Sequence, residues 1–475
     1  MQSWSSQSTG PVHILDLPNE ILGEICVYVR GAPCGKEPLQ LGDISYSDDG
    51  REAIKNTRLV CRKLCEASSH LLIPAISVSM SLSSLARLDQ ISRHPWIATG
   101  VRSVRVVMSF FSTDMAQDFG LFLIIQQEIL DRAASLARAK ARSQFDLIEV
   151  DKCRAILDSW ELLDQNSGEI REGSLASDLD REYILIIKHA YEKYQHAFAE
   201  QEQMRADGSF VRAVADAMAR MPVARCLVID DGPMPPRLIE PASFAITMAT
   251  PALFLTSLVQ PISWAYAQEH GFDNLPLDGV DQASDTHPIE LCSQIPLAVH
   301  NAGVMLTDVH YKVVPFSHFS RLIKCDQDLD DLRAAMRQLK SFRIAWPRIP
   351  QEDHTLDHED EMRRLIAFVE AFTDTDSIES IAIDMGHLWP PEIAPLVSAG
   401  SLLLTRAWPR LRRLRFSGPL EFRDLEAFFA QTQGRIALDL HRAHLIRGSW
   451  AEVIDLVDAK GLPLTIKAPK GVWAE

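Results

Sequence analysis

Leu339-Lys340-Ser341-Phe342-Arg343-Ile344 is the stretch that best indicates how this chain folds. Its apolar residues stand at positions i, i+3 and i+5 among polar ones, a pattern typical of a short strand with one buried face. The pattern recurs at Val101/Val104/Val106, Ala224/Leu227/Ile229, Phe272/Leu275/Leu277, Leu306/Val309/Tyr311, Ile378/Ile381/Ile383, Leu411/Leu414/Phe416 and, more loosely, Ile436/Leu438/Leu440. From Leu227 to Leu414 the central residues are 48, 34, 33, 39 and 33 positions apart, and this regularity indicates repeated units.

Amphipathic runs precede several of these strands, at residues 210–221, 329–338, 362–372 and 402–408. A unit of helix, short turn and strand buries one face against its neighbour, and stacked units form a curved α/β solenoid. The units resemble degenerate leucine-rich repeats that are longer and less regular than usual. The alternative is an ordinary α/β domain with unrelated strands.

The composition restricts the class of partner. The chain has 475 residues, 47% of them hydrophobic and 24% charged, which are ordinary values for globular proteins. Its net charge of −16 argues against nucleic acid or anionic lipid as the main partner, because both need a basic field. Eight scattered cysteines do not form a disulfide scaffold, so we expect a reduced protein of the cytoplasm, the nucleus or both.

Two segments bear on targeting and membranes. Residues 1–11 are rich in Ser and Gln without an apolar run, and we expect a disordered tail rather than a secretory signal. Residues 241–268 carry no formal charge and are long enough to span a bilayer. Pro251, Pro261 and the lack of a basic flank favour a buried helix and loop instead, so no membrane is expected as a partner.

Two helices are predicted near the N-terminus. Pro18 and Glu20 suit a first helical turn, and Ile21, Leu22, Ile25 and Val29 then recur at helical spacing. Residues 31–50 read as a loop, and a second helix is predicted over residues 52–69. On periodicity alone, this pair is a small helical hairpin that caps the rest of the chain.

The residues of this pair also resemble the F-box motif. Leu17-Pro18-Asn19-Glu20-Ile21-Leu22 matches its Leu-Pro-x-Glu-x-Leu start, and Leu59-Val60-Cys61-Arg62 matches its second helix, although the spacing between the two pieces is wider than usual. The resemblance implies a three-helix module that docks on a Skp-type adaptor of a cullin–RING ubiquitin ligase. The residues that it places at the adaptor contact are Leu17, Pro18, Ile21, Leu22, Ile25, Leu59 and Val60.

The C-terminal end resembles filamentous-fungal F-box proteins in layout, with leucine-rich strands followed by a helix that Ser449-Trp450 begins. Ser449 is expected to cap that helix. Residues 114–206 read as almost entirely helical, and we interpret them as an insertion. The predicted fold is therefore α/β, with a tail (1–11), an F-box-like helical module (12–75), a first strand unit (76–113), the helical insertion (114–206) and an irregular leucine-rich-repeat-like region (207–475).

The sequence contains no recognisable catalytic constellation. Phosphate-binding loops, the nucleophile elbow and the zinc motif His-Glu-x-x-His are all missing. His354 and His358 share a helical spacing, but their acidic surroundings favour a solvated loop over a metal site. His441 and His444 at a strand end also favour a surface interpretation. No cofactor, metal or catalytic residue is predicted.

Arginines cluster around the strand at residues 411–416. The candidate partner-binding residues are Arg410, Arg412, Arg413 and Arg415, with Arg406 nearby. Such a patch on an acidic protein could receive an acidic segment of a partner. The favoured alternative is internal pairing with neighbours such as Glu421 and Asp424.

Substrate recognition for a Skp/cullin/F-box ligase is the function that these features favour, with a target protein that the sequence does not identify. The second hypothesis is a non-catalytic, repeat-type binding protein without a ligase, which the wide spacing between the two F-box pieces suggests. The third is an enzyme whose site lies in the helical insertion, for which the sequence provides no motif.

Overall fold

The computed structural model describes residues 14–31, 48–140, 144–164, 168–171, 176–232, 250–264, 287–313, 322–323, 325–345, 359–384, 399–404, 406–432 and 436–467. Its helices are α1 (Asn19–Arg30), α2 (Asp48–Val60), α3 (Arg62–Ser68), α4 (Leu82–Arg93), α5 (Thr113–Gln117), α6 (Phe119–Lys140), α7 (Gln144–Glu161), α8 (Asp178–Ala206), α9 (Ser209–Arg220), α10 (Pro251–Leu258), α11 (Leu291–Asn301), α12 (Asp326–Ala335), α13 (Glu359–Thr373), α14 (Phe422–Gln431) and α15 (Trp450–Lys460). Its strands are β1 (Ala75–Ser79), β2 (Ser103–Val107), β3 (Cys226–Asp230), β4 (Asp308–Lys312), β5 (Ser341–Ala345), β6 (Ser380–Asp384), β7 (Arg413–Ser417), β8 (Pro419–Glu421), β9 (Ala437–His441), β10 (His444–Arg447) and β11 (Leu464–Lys467).

Nine strands form one sheet in the order β1-β2-β3-β4-β5-β6-β7-β9-β11, which is their order along the chain. Every neighbouring pair in this sheet is parallel. Strands β8 and β10 form a separate parallel pair. Because parallel neighbours need a crossover, helices alternate with the strands along the chain. The predicted α/β class is confirmed.

In β1 to β7 and in β9, the second and fourth residues are apolar and form the buried face of the sheet. Phe342 of β5 lies opposite Val309 of β4 on one side and Ile381 of β6 on the other, and all three are buried. A fully buried side chain of this size contributes about 1.5–3 kcal/mol to stability. The spacing i+3 and i+5 in the sequence corresponds to these two inward positions.

Every predicted strand that falls within the described residues is present, and the prediction at residues 272–277 lies outside them. Four strands were not predicted: β1 and β11 of the large sheet, and the pair β8 and β10. Ile73, Ile76 and Val78 carry the same spacing at β1, so this strand was open to detection. Before β11, the position three residues ahead of Leu464 is occupied by Gly461 and not by an apolar residue. The pattern is therefore incomplete there.

Two helix predictions were wrong in their extent. The second N-terminal helix is split at Cys61, whose extended backbone separates α2 from α3. The run at 402–408 contains only a 3₁₀ helix over Ala399–Leu404.

The N-terminal helices have a core of their own. Leu22, Cys26 and Ile54 are buried between α1, α2 and α3, apart from the main core that extends from Ile76 to Val457. Lys63 on α3 donates hydrogen bonds to the carbonyl oxygens of Leu15 and Leu17 at 2.7 and 2.9 Å, which fixes the start of α1. We refer to residues 14–31 and 48–71 as the N-terminal unit.

We refer to the described residues from Ala75 to Lys467 as the sheet region. Gly100 lies where the N-terminal unit meets this region. Two 3₁₀ turns, Ser69–Leu71 and Ala98–Gly100, pack together there. A Cβ atom on Gly100 would overlap the backbone carbonyl of His70. This position therefore requires glycine because of the close approach of two backbones.

Residues 114–206, predicted to be helical and interpreted as an insertion, contain α6, α7, α8 and most of α5 between β2 and β3. Gln201 of α8 both accepts from the amide of Phe111 (2.9 Å) and donates to its carbonyl oxygen (3.2 Å). The amide of Ser112 donates to the Tyr194 hydroxyl at 2.8 Å. These buried bonds join the insertion to the chain that follows β2.

Candidate protein-interaction surfaces

The N-terminal unit presents large apolar side chains to solvent. Leu59 and Val60, the last residues of α2, are 83% and 68% exposed. Ile21 and Tyr28 on α1 are exposed as well. Large exposed apolar patches are typical of sites where proteins bind one another, so these side chains are the candidate interaction residues of the unit.

Helix α1 is apolar on more than one side. Leu22 and Cys26 point into the core of the unit, while Ile21 and Tyr28 remain outside it. A helix in a monomer normally has one apolar stripe and an opposite polar face. The additional apolar residues of α1 have no partner in the part of the chain that the structure describes.

The residues of the F-box resemblance fall into three groups. Pro18, Ile21, Leu59 and Val60 are exposed, and Leu17 and Ile25 are half-buried. Leu22 is fully buried, at 0% exposure. The expectation that Leu22 faces an adaptor is therefore corrected: its side chain packs inside the unit, because α1 turns this position towards α2 and α3.

Sequence reasoning missed Tyr28, which is as exposed as Leu59. An aromatic ring with a polar tip is typical of protein interfaces. The helical spacing of Glu24 and Tyr28, four residues apart on the outward side of α1, was the available signal.

The arginine cluster forms different pairs from those expected. Arg406 binds Asp374 (2.7 Å) and Asp376, and Arg415 approaches Asp439 at 3.5 Å. Glu421 is occupied instead by Arg423 (2.5 Å) and Arg447 (3.6 Å). The expected internal pairing with Glu421 and Asp424 is thus wrong in its partners.

Three members of the cluster have no partner among the described residues. Arg410, Arg412 and Arg413 are exposed, and no hydrogen bond or ion pair involves their side chains within the described ranges. Strand alternation accounts for the exposure, since Leu411, Leu414 and Phe416 take the buried positions. These three cations remain available to an external anion.

Buried titratable groups have structural roles where their contacts are defined. Burial raises the pKa of Tyr311, whose hydroxyl donates to the carbonyl oxygen of Cys292 at 2.7 Å. Burial also raises the pKa of Tyr194 in the insertion, which bonds to Ser112 and Met115. Burial, with Arg442 and Arg415, lowers the pKa of His441 and favours its neutral form.

The described residues contain no group of three His, Cys, Asp or Glu side chains that is arranged to hold a metal ion. His354 and His358 lie outside those residues. Of the charge-free segment 241–268, the structure describes residues 250–264, which include the short helix α10. Within the ranges given above, no helix combines the length and apolarity needed to cross a bilayer.

Ser449 caps α15 as expected. Its hydroxyl accepts from the amide of Glu452, whose carboxylate in turn accepts from the amide of Ser449 at 2.7 Å. This reciprocal pair fixes the start of the last helix.

Comparison of the chain with protein-family models, with curated proteins and with solved structures finds no match in any of the three.

Proposed function

We propose that this chain is the substrate-recognition subunit of a Skp/cullin/F-box ubiquitin ligase. The N-terminal unit docks on the Skp-type adaptor, and the remainder of the chain holds a target protein. The observation that carries the proposal is the exposure of Leu59, Val60 and Ile21, which belong to the segments that resemble the F-box motif.

A separate core supports the idea of a docking module. Leu22, Cys26 and Ile54 stabilise the N-terminal unit from within, so its outer apolar residues are not needed to hold it together. When a partner covers exposed Leu and Val side chains, their apolar surface is removed from water. This removal contributes a favourable free energy of about 25 cal/mol per Å² to binding. The unit is therefore suited to bind a groove on another protein.

The sheet region is proposed to be a leucine-rich-repeat-like solenoid. Its nine parallel strands follow chain order, and inward apolar pairs occupy equivalent positions in successive strands. A solenoid of this kind offers an extended surface on which a second protein can lie.

The mechanism is proximity and requires no covalent chemistry on this chain. The N-terminal unit anchors the chain to the ligase, while the solenoid holds the target near the activated ubiquitin. Tethering raises the effective concentration of the target lysines at the reactive centre, to the millimolar range for short flexible connections.

The test is a calorimetric titration of the full chain with a purified Skp-type adaptor. The double substitution Leu59→Asp, Val60→Asp is expected to weaken binding by at least about 30-fold, because the loss of a single central contact of about 2 kcal/mol already corresponds to that factor. Both residues are exposed, so the thermal stability of the variant should stay close to that of the wild type.

The double substitution Leu179→Asp, Leu185→Asp is the matched control. Leu179 and Leu185 are 52% and 67% exposed on α8, outside the N-terminal unit, and their replacement introduces the same two negative charges. This control is expected to bind the adaptor like the wild type. Equal adaptor affinity of the wild type and the Leu59→Asp, Val60→Asp variant would refute docking at this surface.

A further inference from the structure

The turns that lead from helices into strands all lie at one edge of the parallel sheet, where the strands begin. We call this the amino edge. The residues immediately before β2 to β7 form a continuous row, because the amide of each bonds to the carbonyl oxygen of the previous one at 2.7–3.2 Å. In order, this row is Arg102, Arg225, Thr307, Lys340, Glu379 and Arg412.

The row is basic and exposed in an acidic protein. Arg102, Arg225, Lys340 and Arg412 are exposed, whereas Glu379 is half-buried. Arg337, Arg410 and Arg413 add three exposed cations from the adjoining turns and from the start of β7. The wider chain has 64 acidic against 48 basic residues, so a basic concentration at this edge is opposite to the overall charge.

Few acidic residues lie at the amino edge: Glu379 in the row itself, and the half-buried Asp308 that begins β4 and interacts with the charge of Lys340. The turns 94–102, 221–225, 302–307, 336–340 and 406–412 contain no Asp or Glu. In the turn before β6, Asp374 and Asp376 are engaged by Arg406. Within the described residues, the side chains of Arg102, Arg225 and Arg412 form no hydrogen bond or ion pair.

Exposed apolar side chains also lie at the amino edge, in the turns before β2, β3 and β4. Val223 lies three residues before Cys226, and Met305 lies three residues before Asp308. Because Cys226 and Asp308 are paired at the starts of β3 and β4, these two side chains occupy equivalent positions. Trp96 is exposed in the turn that precedes β2. The amino edge therefore combines cationic and apolar groups, a combination that carbohydrate or free metal ions would not match.

From these contacts we infer that the amino edge binds an extended acidic peptide segment with interspersed apolar side chains. The five inter-strand steps of the row span about 24 Å, which is the length of about seven extended residues. Carboxylates of the peptide would pair with the guanidinium groups, and its apolar side chains would cover Val223, Met305 and Trp96.

This inference deepens the target-binding half of the proposed function and rests on it, but it does not involve the adaptor. Its test uses fluorescence anisotropy of the full chain with a labelled peptide of about ten residues that alternates Glu and Leu. The wild type is expected to bind this probe at low salt and to lose affinity as salt increases, because exposed charges are screened.

Charge reversal identifies the surface. The double variant Arg225→Glu, Arg412→Glu is expected to weaken binding at least about tenfold. The matched control, Arg154→Glu with Lys193→Glu, reverses two exposed cations on α7 and α8 and should stay within about twofold of the wild type. The Leu59→Asp, Val60→Asp variant should bind the peptide normally, so failure at the adaptor and failure at the amino edge are distinguishable.

Three results would overturn the inference. One is an equal loss of affinity in the amino-edge variant and the control. Another is equally strong binding of a peptide in which Gln replaces each Glu. The third is a single-stranded DNA oligonucleotide that binds more tightly than the acidic peptide, which would indicate a nucleic-acid surface instead.

Discussion

The N-terminal unit and the sheet region differ in how far their apolar side chains are buried. In the sheet region, the apolar pair of each strand is covered by the chain itself, as Phe342 and Ile344 illustrate. In the N-terminal unit, a small core around Leu22 is surrounded by exposed apolar residues such as Leu59 and Tyr28. The N-terminal unit therefore leaves large apolar side chains uncovered beside a small core, and the proposed function assigns these side chains to a contact with another protein.

The largest expected effect on stability comes from a substitution at the centre of the sheet, compared with one in the N-terminal unit. Phe342 stacks on Phe372 with ring centroids 5.2 Å apart and is fully buried, so Phe342→Ala should lower the free energy of unfolding by about 3–5 kcal/mol. Leu59→Ala should change it by less than about 0.5 kcal/mol. Denaturant unfolding followed by circular dichroism measures both, and similar losses in the two variants would contradict the contrast.

The junction of the two regions should be sensitive to a single methyl group. Gly100→Ala places a Cβ atom against the backbone of His70, so we expect a loss of about 1–3 kcal/mol in the free energy of unfolding. Gly23→Ala is the control, because it meets open space on α1 and should stabilise by about 0.5–1 kcal/mol. A neutral Gly100→Ala in thermal melts would show that the two backbones do not approach as described.

The smallest effect concerns pH at the same junction. Burial, with the charge of Arg102, lowers the pKa of His70 from its ordinary value of 6.5. The unfolded chain therefore binds a proton more readily than the folded one, and the stability should fall as pH drops through 6.5. His70→Gln should flatten this dependence in melting temperatures measured between about pH 7.5 and 5.5, and parallel curves for the wild type and the variant would contradict it.

Strands were more predictable than surfaces for a physical reason. The inward positions of β5 and β7 must be apolar to fill the core, so Phe342 and Leu414 carry a readable spacing. The division of the second N-terminal helix at Cys61 was not predictable, because a single extended residue leaves no periodic signal. The pairing of Arg406 with Asp374 depends on which turns adjoin, and sequence distance does not contain that information.

The residues assigned to the predicted contact differ in their exposure. Leu59 and Val60 are exposed, whereas Leu22 was assigned to the same contact and is buried. Helical spacing alone could not separate Ile21 from Leu22, because adjacent residues on α1 differ by only about 100° in direction. The amino edge was not predictable from the sequence, because its cations come from turns that are far apart along the chain. Only the pairing of the strands brings these turns side by side.

The central claim is that the exposed apolar side chains of the N-terminal unit form a contact for another protein. Hydrogen exchange of the full chain, with and without a saturating Skp-type adaptor, tests it most directly. We predict slower amide exchange in α1 and in α2–α3 when the adaptor is present, and unchanged exchange in β3 to β7. Unchanged exchange in all three N-terminal helices, or protection confined to the sheet, would contradict the claim.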